Sequence, residues 1–335
     1  MPLPQNDISA QYFTQQNLEK RLAFILDYLK KQTAFKTLQL LQKSAWWNST
    51  SIGAAHYSGT YRGQPAILKI QGVKPNVSEA KNIKNFTDQN QSQLVRPPRV
   101  YFSLPWHKEL QFEALVLENL EGKKLVGLPA SRKEIQTYFA VYQEYRQKCL
   151  NRPWLKQPSQ TLSEGVAQSF TQWKKIRREL FPNGHPLIEP TDVSLIDRAV
   201  EVLTAGWQQV DWQFQHGHFS TRDIFLKNKQ YVLLSNLYWS WRAPYYDAVF
   251  GWHWYQFDLA SKPDVTIKQL KQHRKRWQTT IAKTVQPKNS QEKRLLELAF
   301  LERAAAGLNL DGLITPSPTT AWLMDTLRAE IRQLL

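Results

Sequence analysis

Phe214-Gln215-His216-Gly217-His218-Phe219-Ser220-Thr221-Arg222-Asp223-Ile224-Phe225-Leu226, followed by Tyr231-Val232-Leu233-Leu234-Ser235-Asn236, is the stretch on which the reading of this chain turns. Two short apolar runs, Asp223 to Leu226 and Gln230 to Leu234, are joined by Lys227-Asn228-Lys229, the pattern of a hairpin. Just ahead of it, polar and titratable residues crowd between apolar neighbours, and loops fixed on a rigid element often carry sites. His216 and His218 alternate in an extended stretch and so point to opposite sides, which argues against one metal ion shared by both.

Outward from this hairpin the chain changes character. Beyond Gly122 helical periodicity dominates, over Lys133 to Cys149, Leu195 to Gln208, Gln291 to Gly307 and Ala321 to Leu334. Upstream, Tyr57 to Arg62 and Ala66 to Ile70 flank Gly63-Gln64-Pro65 as a second hairpin. Asn76-Val77-Ser78-Glu79 reads as a capping box that opens a helix through Phe86. Two further strands, Arg99 to Leu104 and Leu110 to Leu117, turn near Pro105-Trp106-His107-Lys108. The first forty residues read as helix, with Phe13, Leu18, Leu22, Ile25, Leu26 and Leu29 at helical spacing. The expected architecture is α+β and bilobal. It has an N-terminal helical extension over 1–44, a small antiparallel-sheet N-lobe with one helix over 45–119, and a mainly helical C-lobe containing the hairpin over 120–335.

Composition narrows the classes. With 335 residues the chain has room for two domains or one bilobal fold, and for a sizeable core. A single cysteine, Cys149, excludes an intramolecular disulfide and multi-cysteine zinc or iron–sulfur sites, and fits a reducing compartment. The N-terminus shows no charged segment followed by an apolar one, and no apolar run is long enough to span a bilayer, so a cytoplasmic protein without membrane association is expected. The net charge of +16 favours acidic partners such as nucleotide phosphates or nucleic acid. Its local clusters, Lys174-Lys175 with Arg177-Arg178, and Lys268, Lys271 and Arg274-Lys275-Arg276, read first as solvated helix faces. Ten aromatics between Tyr238 and Phe257 read as core in preference to a stacking platform for bases.

Two more segments can carry chemistry. In Ala66-Ile67-Leu68-Lys69-Ile70 a lysine is embedded in an apolar strand, where its ammonium needs a partner. A phosphate together with a carboxylate would satisfy it, and Glu79 is the nearest carboxylate. The alternative places Lys69 on a solvent face and leaves Glu79 to close the capping box. Leu115-Val116-Leu117-Glu118-Asn119-Leu120-Glu121-Gly122 is a strand ending in an acidic turn, whose backbone can hydrogen-bond a purine or can simply be a loop.

The order of these pieces resembles the aminoglycoside phosphotransferase and choline kinase group of the protein-kinase-like superfamily over about residues 45–260. Strand lysine Lys69, helix glutamate Glu79, the Glu118–Gly122 connector, the His216-Gly217 loop, the hairpin, and Tyr245-Tyr246-Asp247 follow one another as they do there. The resemblance implies a nucleotide cleft between lobes, with Lys69 on the phosphates and the chain near Glu118 and Leu120 facing adenine. It also implies that Asp247 braces the loop, with His216 beside it. Gly53 matches the first glycine of the family's phosphate loop, in Gly53-Ala54-Ala55-His56-Tyr57-Ser58, but the later glycines are missing.

The family's loop reads His-Gly-Asp, four residues, Asn; here His218 stands at the catalytic aspartate and Asp223 at the metal-binding asparagine. The family's magnesium-binding aspartate falls near Ser235, and neither Ser235 nor Asn236 supplies its charge. Losing a positioned base typically sacrifices about 10²–10⁴ in rate. The expected function is therefore a catalytically impaired, pseudokinase-type binding or regulatory module. ATP or another nucleotide is its expected ligand, magnesium is disfavoured, and the protein or small-molecule partner is unspecified. One alternative is a small-molecule phosphotransferase with His218 as base and Asp223 as metal ligand. Another is a basic nucleic-acid-binding module using the clusters near Lys174 and Arg274.

Overall fold

Arg62 and Gly63 both adopt positive φ, 50° and 82°, the two-residue hairpin turn whose twist suits the strands it joins. In the computed structural model, which describes residues 15–45, 52–150, 152–311 and 315–335, this turn sits in the middle of a five-stranded antiparallel sheet. The strands are β1 (Phe35–Ala45), β2 (Ile52–Tyr61), β3 (Gln64–Gln71), β4 (Val100–His107) and β5 (Phe112–Glu118), in the order β1-β2-β3-β5-β4. They belong to a unit made of the described residues through Asp88 together with Arg96–Gly122. Side chains alternate across the sheet. Ala55, Tyr57, Ala66, Leu68, Ile70, Phe112, Ala114 and Val116 face helix α1 (Gln15–Gln32), whose Leu22, Ile25 and Leu29 are buried on them. Leu115 and Leu117 pack instead against Ile83 of α2 (Glu79–Gln89).

Here the helical reading of the first forty residues is corrected. The helix ends at Gln32, and Phe35–Ala45 is a strand paired with β2. Its register shifts between Thr37 and Gln39 and again between Leu40 and Gln42. These bulges break the two-residue alternation and leave Leu38 and Leu41 exposed. Phe13 lies outside the described residues.

The second unit comprises Gln89–Val95 and, through its described residues, Lys123–Leu335. Its helices are α3 (Arg132–Lys148), α4 (Leu162–Leu180), α5 (Asp192–Gly206), α6 (Tyr246–Ala260), α7 (Ile267–Val285), α8 (Ser290–Ala306) and α9 (Pro318–Leu334). Capping boxes open α3 (Ser131 with Glu134), α4 (Thr161 with Glu164) and α7 (Thr266 with Gln269). Short strands β6 (Lys123–Lys124), β7 (Gln213–Gln215), β8 (Ile224–Lys227), β9 (Gln230–Leu233) and β10 (Ser240–Arg242) also belong to it, and the two-residue strand Val95–Arg96 borders β9. The β8–β9 hairpin turns on Asn228 and Lys229, both at positive φ, and β7 pairs with β10. Helix α6 is buried nearly all round, so Tyr246, Phe250, Trp252, Tyr255 and Phe257 of the aromatic stretch are core, as is Trp239 ahead of the helix. No helix among the described residues is long and apolar enough to cross a membrane.

Candidate functional site

In the first unit β3 carries Lys69 on the face covered by α2. Its Nζ donates to Glu79 Oε2 at 2.5 Å, with both side chains buried. Ser78 Oγ accepts the Lys81 N–H at the helix start, so the cap is made without Glu79 and its carboxylate is left to the lysine. The solvent-face alternative is therefore set aside. A second carboxylate escaped the sequence reading. Glu113 on β5, in register with Gln71, is 2% exposed and its Oε1 has no hydrogen-bond partner. Burial pushes its pKa up, reinforced by the charge of Glu79 and opposed by the Glu79 backbone N–H and by Lys69. This cluster holds one cation against two carboxyl groups.

One expectation in this unit is corrected. Gly53 to Ser58 does not form a loop: these residues lie within β2, with Ala54 opposite Gln71 and Ser58 opposite Ile67. The connection from β1 to β2 is residues 46–51, outside the described residues. Glu118 ends β5 with its carboxylate already spent, on the Arg96 guanidinium and on the Arg99 N–H at 2.8 Å.

In the second unit the loop after β7 is held from beneath. Asp247, at the start of α6, accepts His216 N–H at 2.9 Å and Gly217 N–H at 3.0 Å, and Tyr145 Oη donates to it at 2.7 Å. Its carboxyl pKa is raised by burial against the pull of these donors. Gly217 has φ +76°, and a Cβ there would stand 2.3 Å from Tyr238 O, so the close turn requires glycine. His216 is fully buried, edge-on to Trp239, and burial drives its pKa down to about 3, which keeps the ring neutral.

His218 and Asp223 meet: Nδ1 and Oδ2 are 2.7 Å apart. The imidazole lies between Tyr238, stacked at 4.6 Å, and Phe250 at 5.0 Å, two of the ten aromatics read from the sequence as core; Phe250 is buried, but Tyr238 is exposed, which corrects that reading for it. Burial tends to raise the Asp223 pKa, but the His218 ring, by charge and hydrogen bond, together with His216 and the Ser235 hydroxyl, holds it below its ordinary value. Ser235 itself is left-handed at φ 59°, an uncommon conformation for a residue with a side chain. Asn236 is used internally: Nδ2 donates to Leu233 O and Oδ1 accepts from Trp239 Nε1.

The resemblance implies a divalent cation at these positions, and the donor set can be tested against it. Asp223 is already engaged by an imidazole and a hydroxyl, Ser235 is neutral, and the Asn236 amide is committed. Among the described residues no group of three or more His, Cys, Asp or Glu side chains is placed to hold a metal ion. The set does not fit the hard, oxygen-rich site that magnesium needs. The basic clusters also change meaning. Arg274 is buried on α7 between Gln256 and Glu330, over the Trp252 ring, so the run it belongs to is not a continuous surface patch.

No family model matches the sequence, and neither does any curated protein. Solved structures do match in shape. The aminoglycoside phosphotransferase APH(4)-Ia, as the apo form of a thermostable mutant, aligns at 13% identity over 93% of this chain and 98% of its own, with a TM-score of 0.58. An amicoumacin kinase in complex with AMP-PNP and Ca2+ aligns at 14% identity over 94% and 95%, with a TM-score of 0.53. A choline kinase from Cryptosporidium parvum aligns at 10% identity over 93% and 95%, with a TM-score of 0.51. The chain has the protein-kinase-like α+β fold of the aminoglycoside phosphotransferase and choline kinase group.

Proposed function

We propose that this protein is a kinase-like binding module that holds a nucleotide through Lys69, braced by Glu79, and has given up phosphoryl transfer. The observation that carries the reading is the 2.7 Å contact between His218 Nδ1 and Asp223 Oδ2. By resemblance these positions belong to a catalytic base and a cation ligand; here the two side chains are engaged with one another. Phosphoryl transfer depends on positioning and on metal-assisted neutralisation of charge, and neither has its usual residues. Nucleotide binding is supported by the buried lysine–glutamate pair and by the AMP-PNP complex of the amicoumacin kinase with the same fold. The test is a thermal-shift titration with ATP, with and without magnesium. The expected result is a rise in Tm that does not need the metal and that Lys69→Ala abolishes. No shift in either condition overturns the nucleotide part of the reading.

A second reading is favoured by the same contact viewed differently. A carboxylate accepting the Nδ1–H leaves Nε2 of His218 as an acceptor, the tautomer a general base uses. In that case Asp223 positions the base and is not a metal ligand. Magnesium-dependent ATP turnover lost in both His218→Ala and Asp223→Ala would replace the first reading with this one.

A further inference from the structure

Helix α7 is one-sided in charge as well as in burial. Leu270, Trp277 and Ile281 turn inward, and so does Arg274, which is paired with Glu330 of α9. With Arg274 withdrawn, Lys268, Lys271, Lys275, Arg276 and Lys283 are left as separate exposed points along the solvent side, with Gln272 and Thr279 between them. From Lys268 to Lys283 this row runs about 22 Å, at roughly 1.5 Å per residue. A solvated helix face ordinarily mixes charges of both signs. Here no Asp or Glu occurs between Asp264 and Glu292, so the helix carries no acid of its own to offset the row. Among the described residues none of the five cations enters an ion pair.

The start of α3 adds charge of the same sign. Ala130 N–H donates to Tyr255 Oη at 2.8 Å, and that oxygen is 3.0 Å from His273 Nδ1. This link holds Arg132 and Lys133, both exposed, near the second turn of α7.

The face offers positive charge and hydrogen-bonding groups without apolar surface. No large hydrophobic side chain of α7 is exposed, so it has no wedge for a bilayer and no anchor for a pocket on another protein. The half-buried Trp322 ring of α9 is capped by Lys271, whose Nζ stands 5.9 Å from its centroid, so it gives unpaired bases no platform to stack on. What remains suits a partner with dense, regularly spaced negative charge. A nucleic-acid duplex carries one phosphate per about 1.7 Å of its axis, and Lys, Arg, Gln and Thr all serve as phosphate donors.

We propose that the exposed face of α7 binds the phosphodiester backbone of double-stranded nucleic acid without reading its sequence. The proposal stands independently of nucleotide binding and of phosphoryl transfer.

The test uses the full chain and a fluorescent DNA duplex of arbitrary sequence, titrated by anisotropy at salt concentrations from about 50 to about 200 mM. Five phosphate contacts should give log K a slope of about −4.5 against log salt, a loss of about 500-fold across that range. Lys271→Gln combined with Lys275→Gln should make the slope shallower by about two, and Lys283→Gln by about one. The residues changed are all exposed, and unaltered thermal melts would show that the variants fold. Lys175→Gln combined with Arg178→Gln, on exposed positions of α4, removes the same net charge elsewhere and should leave the slope unchanged. Equal sensitivity to the α4 and α7 substitutions assigns binding to overall charge and overturns the proposal. So does tighter binding of the single strand than of the duplex, binding of phosphatidylserine vesicles without the duplex, or no duplex binding at the lowest salt.

Discussion

The Lys69–Glu79 pair of the first unit and the His218–Asp223 pair of the second are both short polar contacts, yet they relate differently to the residues around them. Lys69 and Glu79 match the resemblance in kind and are buried, with Glu113 added as a third group. In the second unit the loop is supported as the resemblance implies, while the positions to which the resemblance assigns catalysis hold other residues. Asp247 still gathers two backbone N–H groups and the Tyr145 hydroxyl, but the residues above it are an imidazole and a carboxylate facing each other. The brace beneath this loop and the side chains the loop presents are separable. The brace satisfies buried backbone donors, so its loss would leave them unpaired, whereas the presented side chains satisfy chiefly one another.

The largest expected effect breaks the loop from below. Asp247→Ala orphans His216 N–H, Gly217 N–H and Tyr145 Oη, and should cost about 3–5 kcal/mol in denaturant unfolding. His218→Ala, which removes a partly exposed ring, should cost only about 1 kcal/mol by the same measurement. Equal losses would mean that brace and chemistry are one cooperative network.

The next effect is an acid limb. His216 is neutral in the folded protein down to about pH 3, while in the unfolded chain it protonates near its ordinary value. Between these values the unfolded state binds more protons, so stability falls as pH falls, with a slope of about 1.4 kcal/mol per pH unit. From pH 6 to pH 4 the loss should reach about 2–3 kcal/mol. His216→Leu should flatten that limb; an unchanged limb would assign it to other groups.

The smallest effect compares the two hairpins. Lys229→Gly and Arg62→Asn each bring a two-residue positive-φ turn closer to Asn-Gly, and each should add about 0.5 kcal/mol to stability. A gain confined to one unit would show that the two turns differ in strain.

Much of the fold was legible because its signals are local. Gly63 and Asn228 mark turns, and Lys69 in an apolar strand demands an acid, which Glu79 supplies. The misses have physical causes. Helix α6 is buried on nearly every side, so it lacks the apolar stripe that betrays a surface helix. Strand β1 looked helical because its bulges scramble the alternation of Leu38, Leu40 and Leu41. Glu113 sits in Phe112-Glu113-Ala114-Leu115-Val116-Leu117-Glu118, a run whose every residue is buried, and nothing in the letters separates a buried acid from a solvated one. The His218–Asp223 contact depends on how the loop curls between them, which spacing alone does not fix.

Helix α1 has a practical consequence for anyone trimming this protein. Leu22, Ile25 and Leu29 shield one side of the β-sheet from water. A recombinant fragment beginning at Phe35 would lay bare a contiguous oily surface around Leu68, Ile70 and Val116, inviting self-association. Soluble preparations should therefore begin upstream of Gln15.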